Sequence, residues 1–225
     1  EKLFAVLLQM KLSTPRYCRI SRLIRDIPET EIIAGNKITN LREMLEKELH
    51  QRGDKCVCLR CREIGRIKDR RYEIGDKKPE LFVETYETTG GTEYFLTFED
   101  KNRMAVSAFL RLRIPRLRHP AFVRAGQANQ ELYKFIPEIK NCAFVRELHT
   151  YGQLLEIGAT DETASQHKGM GKKLLTEAEK IAKKHGFGKM AVISGVGVRD
   201  YYRKNGYRKT GTYMIKCLTN QPKTL

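Results

Sequence analysis

The chain has 225 residues, of which 40% are hydrophobic, which allows a packed core and excludes wholesale disorder. Its formal net charge of +16, from 43 Lys and Arg against 27 Asp and Glu, favours polyanionic partners such as nucleic acid and opposes a basic peptide as substrate. No apolar run reaches the roughly 18 residues that span a bilayer, so no membrane segment is expected.

Residues 1–12 are predicted to be the end of a helix, with Leu3, Val6, Leu7 and Met10 on one stripe and Thr14-Pro15 as its stop. Lys2, Gln9 and Lys11 interrupt this segment and no small-residue cleavage site follows, which argues against a signal peptide. The first residue is Glu1 rather than Met, as expected of a chain with a missing upstream part, although a removed tag leaves the same mark. Arg16, Arg19, Arg22 and Arg25 recur at every third residue, a pattern that suits phosphate binding or pairing with the chain's own acids. After a turn at Gly35-Asn36-Lys37, Asn40 is the expected N-cap of a helix over 41–51, with Glu43 as capping partner, Leu41, Met44, Leu45 and Leu49 on its apolar face, and Gly53 at its end.

Cys56, Cys58 and Cys61 follow, half of the six cysteines. Clustered thiols without a secretory signal point to the cytoplasm and to metal rather than to a disulfide framework. Three soft ligands suit zinc or an iron–sulfur cluster, the alternative being spare free thiols. A tetrahedral zinc needs a fourth ligand: Cys18 first, then His50 or a residue upstream.

The pattern then switches to period two. Strands are predicted over 80–88, 93–99 and 104–114, with turns at Gly90-Gly91 and Asp100-Lys101-Asn102, giving an antiparallel meander. The segment 115–137 has no assignable pattern. A long strand is expected over 142–157, bent near Gly152, then a loop into a helix from Gly169-Met170-Gly171 to His185 with Leu174, Leu175, Ala178, Ile181 and Ala182 on its buried face. A buried strand over 190–194, a short helix over 198–205 and one or two closing strands over 207–218 complete the chain.

Three features carry chemistry. In Gln166-His167-Lys168-Gly169-Met170-Gly171-Lys172, glycines at a helix start let backbone N–H groups approach a diphosphate, helped by the helix dipole. The spacing is neither a Walker A loop nor the Gly-x-Gly-x-x-Gly dinucleotide fingerprint. In Asp200-Tyr201-Tyr202-Arg203-Lys204-Asn205-Gly206-Tyr207, a tyrosine hydroxyl can donate to a leaving thiolate; Tyr202 is the first candidate and Tyr201 its neighbour, and the two cannot share one helix face. Strand alternation puts Glu147 and His149 on one face with Leu148 opposite, as a general base or as a structural pair.

A meander, a long strand, a Gln-x-x-Gly-x-Gly loop opening a helix and a buried strand together resemble the GNAT acetyltransferase superfamily. The resemblance implies that Gln166, Gly169, Met170, Gly171 and Lys172 bind the coenzyme A pyrophosphate. It implies too that Glu147, Leu148, His149 and Thr150 offer backbone groups to pantetheine, and that Tyr202, with Tyr201, lies near the thioester sulfur. More narrowly, RLIRDIP, GNKITNLRE, CVCLRCREIG, RELHTYGQL, SQHKGMGKKLL, MAVISGVGVRDYYRKNGY and GTYMIKCL resemble the catalytic-subunit family of Elongator in its bacterial or archaeal form. That resemblance implies an α+β fold: a GNAT-type domain over 76–225 with a mixed, mostly antiparallel sheet flanked by helices. Before it are expected the tail of a radical-SAM barrel over 1–52 and a metal-binding linker over 53–75. The implied function is to hold acetyl-CoA for tRNA wobble-uridine carboxymethylation. There the acetyl methyl radical adds to uridine C5 and water then cleaves the thioester. The radical domain's own cysteine triplet is not matched by Cys56, Cys58 and Cys61, so S-adenosylmethionine and its iron–sulfur cluster are assigned to a missing upstream domain. Expected partners are tRNA, that domain, and a second copy or Elongator-like subunits. The rival readings are a protein lysine N-acetyltransferase and a tRNA-binding scaffold.

Overall fold

The computed structural model describes residues 2–23, 27–38, 40–67, 78–116, 135–151 and 169–218. The chain divides into two units, Glu1–Glu73 and Ile74–Leu225.

In the first unit, helix α1 (Lys2–Ser13) packs on helix α2 (Leu41–Gln51). Leu7, Leu8, Leu41, Leu45 and Leu49 form a core that also takes in Cys56 and Cys58. The stripe expected on α1 is corrected: Leu7, Leu8 and Lys11 are buried, whereas Leu3, Val6 and Met10 are exposed. Apolar residues run consecutively through the first turns of α1, so periodicity permits more than one face. The leucines of α2 and an ion pair from Lys11 to Glu46 at 3.3 Å select the one that is buried. Helix α2 has the predicted bounds but not the predicted cap. Asn40 has φ −101° and ψ 31°, outside the extended region from which an N-cap side chain reaches back, and only its carbonyl serves, accepting from the Glu43 and Met44 N–H groups. After the cysteines, helix α3 (Leu59–Arg62) buries the Arg62 guanidinium, which donates to the carbonyls of Val57 at 2.8 Å and Arg16 at 2.9 Å. Of the arginine series, Arg19 pairs within the chain, to Glu63 at 2.6 Å, and Arg25 lies outside the described residues.

The second unit is α+β. Strands β1 (Glu80–Thr88), β2 (Gly91–Glu99) and β3 (Val106–Pro115) form the expected meander. Strand β4 (Cys142–Thr150) precedes helix α4 (Met170–Lys184), strand β5 (Lys189–Ile193), helix α5 (Arg199–Lys204) and strands β6 (Arg208–Thr210) and β7 (Tyr213–Cys217). The seven-stranded sheet runs β1-β2-β3-β4-β5-β7-β6 and is antiparallel throughout except between β4 and β5, whose connection contains α4. The first hairpin turn is Thr89-Gly90. Gly91 already belongs to β2, pressed so closely on β3 that a Cβ would lie 2.5 Å from the Ile114 carbonyl oxygen.

Helix α4 lays Leu174, Leu175, Ala178 and Ala182 on one face of the sheet, in a core with Leu110, Val145, Met190, Val192 and Met214. The other face departs from the polar-outward alternation. Glu93, Thr97 and Glu99 are buried there. Arg113 and Arg146 donate to Glu93 Oε1 at 2.9 and 3.0 Å, and Arg103 and Thr97 to Glu99 at 3.1 and 2.7 Å, so cations offset the buried carboxylates, although Glu93 Oε2 has no hydrogen-bond partner among the described residues.

Candidate functional site

The site begins with an irregularity in β4. Arg111 of β3 pairs with Glu147, but the next residue, Leu112, pairs with Val145, so Arg146 is the extra residue of a bulge. Strand β5 pairs with β4 only along Cys142–Val145, whereas β3 stays paired up to Thr150. Beyond the bulge, Glu147–Thr150 therefore present one bonded edge and one edge without a strand partner among the described residues. The predicted alternation holds here: Leu148 packs against the α4 core, while Glu147 and His149 sit on the opposite face. The Glu147 carboxylate accepts from Arg111 Nε at 3.0 Å, and the His149 ring stacks on Phe109 at 5.1 Å between centroids.

Helix α4 starts where this edge ends. Gly169 occupies its N-cap at φ 92°, a conformation that favours glycine, and among the described residues no side chain caps the helix. A Cβ on Gly171 would lie 2.6 Å from the Tyr201 hydroxyl oxygen and 3.6 Å from Thr150 Cγ2. The strand end, the glycine loop and the tyrosine pair thus converge on one glycine. Met170 is buried in the α4 core and Lys172 is exposed; Gln166 lies outside the described residues, as do Gly152 and the rest of the long strand expected to 157.

The tyrosines take different faces, as helix geometry requires. Tyr202 is only 6% exposed and meets Tyr207 edge-on at 5.8 Å, whereas Tyr201 is 38% exposed with its hydroxyl at Gly171. Of the two phenols, that of Tyr201 stands beside Gly171. Burial raises both phenols, Tyr202 to about 12 with a further push from Tyr201, so each stays protonated and able to donate at neutral pH.

Sequence reasoning missed three residues here. Arg111 grips Glu147 and lies over the rings of Phe95 and Phe109, a role visible only once the strand register is known. Ser194 Oγ and Arg199 Nε, at the end of β5 and the start of α5, are buried without a hydrogen-bond partner among the described residues. The segment Ser194-Gly195-Val196-Gly197 carries no signal that separates such a hydroxyl from a loop serine.

In the first unit, the sulfurs of Cys56, Cys58 and Cys61 lie within 4.8 Å of one another, the only such group of three potential ligands among the described residues. Hydrogen bonds among the thiols lower Cys58 and raise Cys61, so the three share their protons unequally. Three convergent soft donors fit a thiophilic divalent cation. Cys18 adjoins them through its carbonyl, which accepts from the Leu59 N–H at 2.8 Å, but its exposed thiol is outside the group, as is His50.

A cavity of about 990 Å³ lies at the other end of β4 from Thr150, lined in part by Glu138, Lys140, Lys189, Arg208 and Lys216. Lys216 is engaged by Glu179 at 2.8 Å, whereas among the described residues no ion pair holds Lys140, Lys189 or Arg208. No described helix is long and apolar enough to cross a membrane.

No protein-family model matches the chain. It is 42% identical over 223 residues to a tRNA uridine(34) acetyltransferase of Methanocaldococcus jannaschii, covering 97% of this chain and 38% of that protein. It is 38% identical over 205 residues to Elongator complex protein 3 of Bos taurus, covering 91% of this chain and 35% of that protein. A solved structure of the archaeal Methanocaldococcus infernus Elp3 with an N-terminal deletion matches with a TM-score of 0.73 at 36% identity, over 95% of this chain and 47% of that one. The chain therefore spans less than half the length of these relatives. With its sequence and its fold both matched over nearly their whole extent, the chain is a homologue of the C-terminal part of the tRNA uridine(34) acetyltransferase and Elongator complex protein 3 family.

Proposed function

We propose that the second unit is a GNAT-type domain that holds acetyl-CoA within a tRNA uridine(34)-modifying enzyme. The observation that carries this reading is the open edge of β4 ending at Gly171 beneath the Tyr201 hydroxyl. The free backbone groups of Glu147–Thr150 suit the amides of a pantetheine arm, which would add to β4 much as a strand does. The uncapped N–H groups at Gly169, Met170 and Gly171 suit its diphosphate, and Gln166 and Lys172 belong to the same loop. Tyr201, protonated at neutral pH, supplies a donor for a thioester sulfur, while Tyr202 fixes the helix that carries it. Holding the acetyl group still against its reaction partner is the catalytic contribution asked of this unit.

The lysine acetyltransferase reading needs a base free to take a proton from an amine. Glu147 is held by Arg111 and His149 is stacked on Phe109, which favours the structural pair. The name of the archaeal relative and the charge of +16 favour tRNA as partner. In this reading residues 1–52 close a radical-SAM barrel and 53–75 join it to the GNAT-type domain over 76–225. Cys56, Cys58 and Cys61 hold zinc as a structural clasp, with Cys18 as a further ligand. S-adenosylmethionine, its iron–sulfur cluster and any second copy or Elongator-like subunit belong to the larger assembly. Calorimetric titration with acetyl-CoA tests the site: the wild-type chain binds and Gly171→Arg does not. Equal binding by both removes the loop from the proposal.

A further inference from the structure

Lys11 is a charged residue in the core of the first unit, with a side chain that is 0% exposed. Its ammonium donates to Glu46 Oε1 at 3.3 Å and to Cys61 Sγ at 3.8 Å, and Cys61 Sγ is itself 4.0 Å from the same carboxylate oxygen. Arg42 extends the series, donating to Glu46 at 3.4 Å and to the Ile20 carbonyl at 2.8 Å. The chain of contacts runs thiol, ammonium, carboxylate, guanidinium, with the Lys11 ammonium the most deeply buried member.

A buried ammonium is costly unless anions surround it. Glu46, at 47% exposure, is half solvated and compensates only in part. The sulfurs are the other partner. Three thiolates on a divalent cation carry a net charge of −1, and a further thiolate makes it −2; an adjacent ammonium offsets one unit of that charge, and an N–H donor on a ligating sulfur both orients and stabilises it. As a mere packing element Lys11 is a poor choice, since an apolar side chain at that position of α1 would bury more favourably against α2. We propose that Lys11 is a positioning residue for the metal-loaded thiol cluster, donating to the Cys61 sulfur and offsetting one unit of the cluster's charge while Glu46 and Arg42 hold it in place. The inference rests on the metal reading of Cys56, Cys58 and Cys61.

Zinc affinity, measured on the full chain by competition with a chromophoric chelator, tests it alongside the melting temperature of the metal-free protein. Lys11→Met is expected to weaken zinc binding about 10- to 100-fold while leaving the metal-free melting temperature unchanged or higher. Lys11→Arg, which keeps the charge, restores part of the affinity. A purely structural lysine gives the reverse: a lower melting temperature and unchanged affinity, and that result overturns the proposal. A second measurement needs no variant. In the wild-type chain loaded with cobalt(II), the Lys11 Nζ resonance is expected to be hyperfine-shifted and slow to exchange; an unshifted signal also overturns it. If the wild-type chain takes up neither zinc nor cobalt, the metal reading itself fails, whereas wild-type uptake with an unaffected Lys11→Met variant sinks this inference alone.

Discussion

At the scale of single residues, the proposed site centres on Gly171 and the two tyrosines. No unusual φ is required of Gly171; what excludes a side chain is the Tyr201 hydroxyl 2.6 Å from where Cβ would be. Without that oxygen the nearest ring atom stands at 3.5 Å, an ordinary contact. Gly171→Ala should therefore cost about 1–2 kcal/mol of stability in the wild-type background and less than about 0.5 kcal/mol in a Tyr201→Phe background. Equal costs in denaturant titrations of both pairs would show that the hydroxyl is not the obstacle. Tyr202 gives a separate signature. Burial raises its pKa from 10.0 to about 12, so the folded protein keeps a neutral phenol where the unfolded chain ionises. The sign follows: this contribution is complete below pH 10 and disappears as pH rises towards 12, an alkaline loss on the order of 3 kcal/mol. Tyr202→Phe should flatten that limb of the stability curve. Tyr207, whose phenol is raised further by burial and by Glu179, keeps its own share of the slope, so the expected result is a reduced slope, and an unchanged one would show that Tyr202 does not contribute.

At the scale of elements, the feature to test is the unpaired side of β4. Amides in Glu147–Thr150 that do not bond to β3 should exchange rapidly in the free protein and slow by at least about tenfold when acetyl-CoA is added, while those of Cys142–Val145, already paired with β5, change little. Uniform protection along β4, or none, would contradict a cofactor lying along that edge. Much of this element pattern is legible in the sequence. The meander, the helix opening at Gly169 and the face shared by Glu147 and His149 all follow from local periodicity and glycine placement. The bulge at Arg146 does not, because it is a relation between β4 and β3 and nothing in Val145-Arg146-Glu147 marks it alone. Nor does the choice between Tyr201 and Tyr202: both lie on α5, and only the packing of Tyr207 decides which ring turns inward. The same reason explains α1. Its apolar residues permit several stripes, and the partner helix with Glu46 chooses the one that contains Lys11. The buried Glu93 and Glu99 were hidden likewise, since alternation places polar side chains on one face without saying whether arginines will come to cover it.

At the scale of the whole molecule, the proposed function asks different tasks of the two ends of β4. Gly169, Gly171 and Tyr201 gather at its Thr150 end; at its Cys142 end a cavity of about 990 Å³ is bordered by Lys140, Lys189 and Arg208, which form no ion pair among the described residues, and by Glu138. Lys216, by contrast, is spoken for by Glu179. If the excess of +16 serves tRNA, unpaired cations set around a concavity are where phosphates gain most, because no internal ion pair has to break first. Each phosphate contact contributes close to one unit to the dependence of log affinity on log salt. Replacing Lys140, Lys189 and Arg208 together by Glu should thus weaken tRNA binding at low salt by at least about tenfold and reduce the salt slope by about 2–3, as read by filter binding across a salt series. Acetyl-CoA titration of the same variant should be unchanged, since the substitutions lie at the far end of the strand from Gly171. An unaltered slope would move the tRNA contact to other basic residues of the chain, and a joint loss of both ligands would mean that the substitutions had damaged the sheet rather than a binding surface.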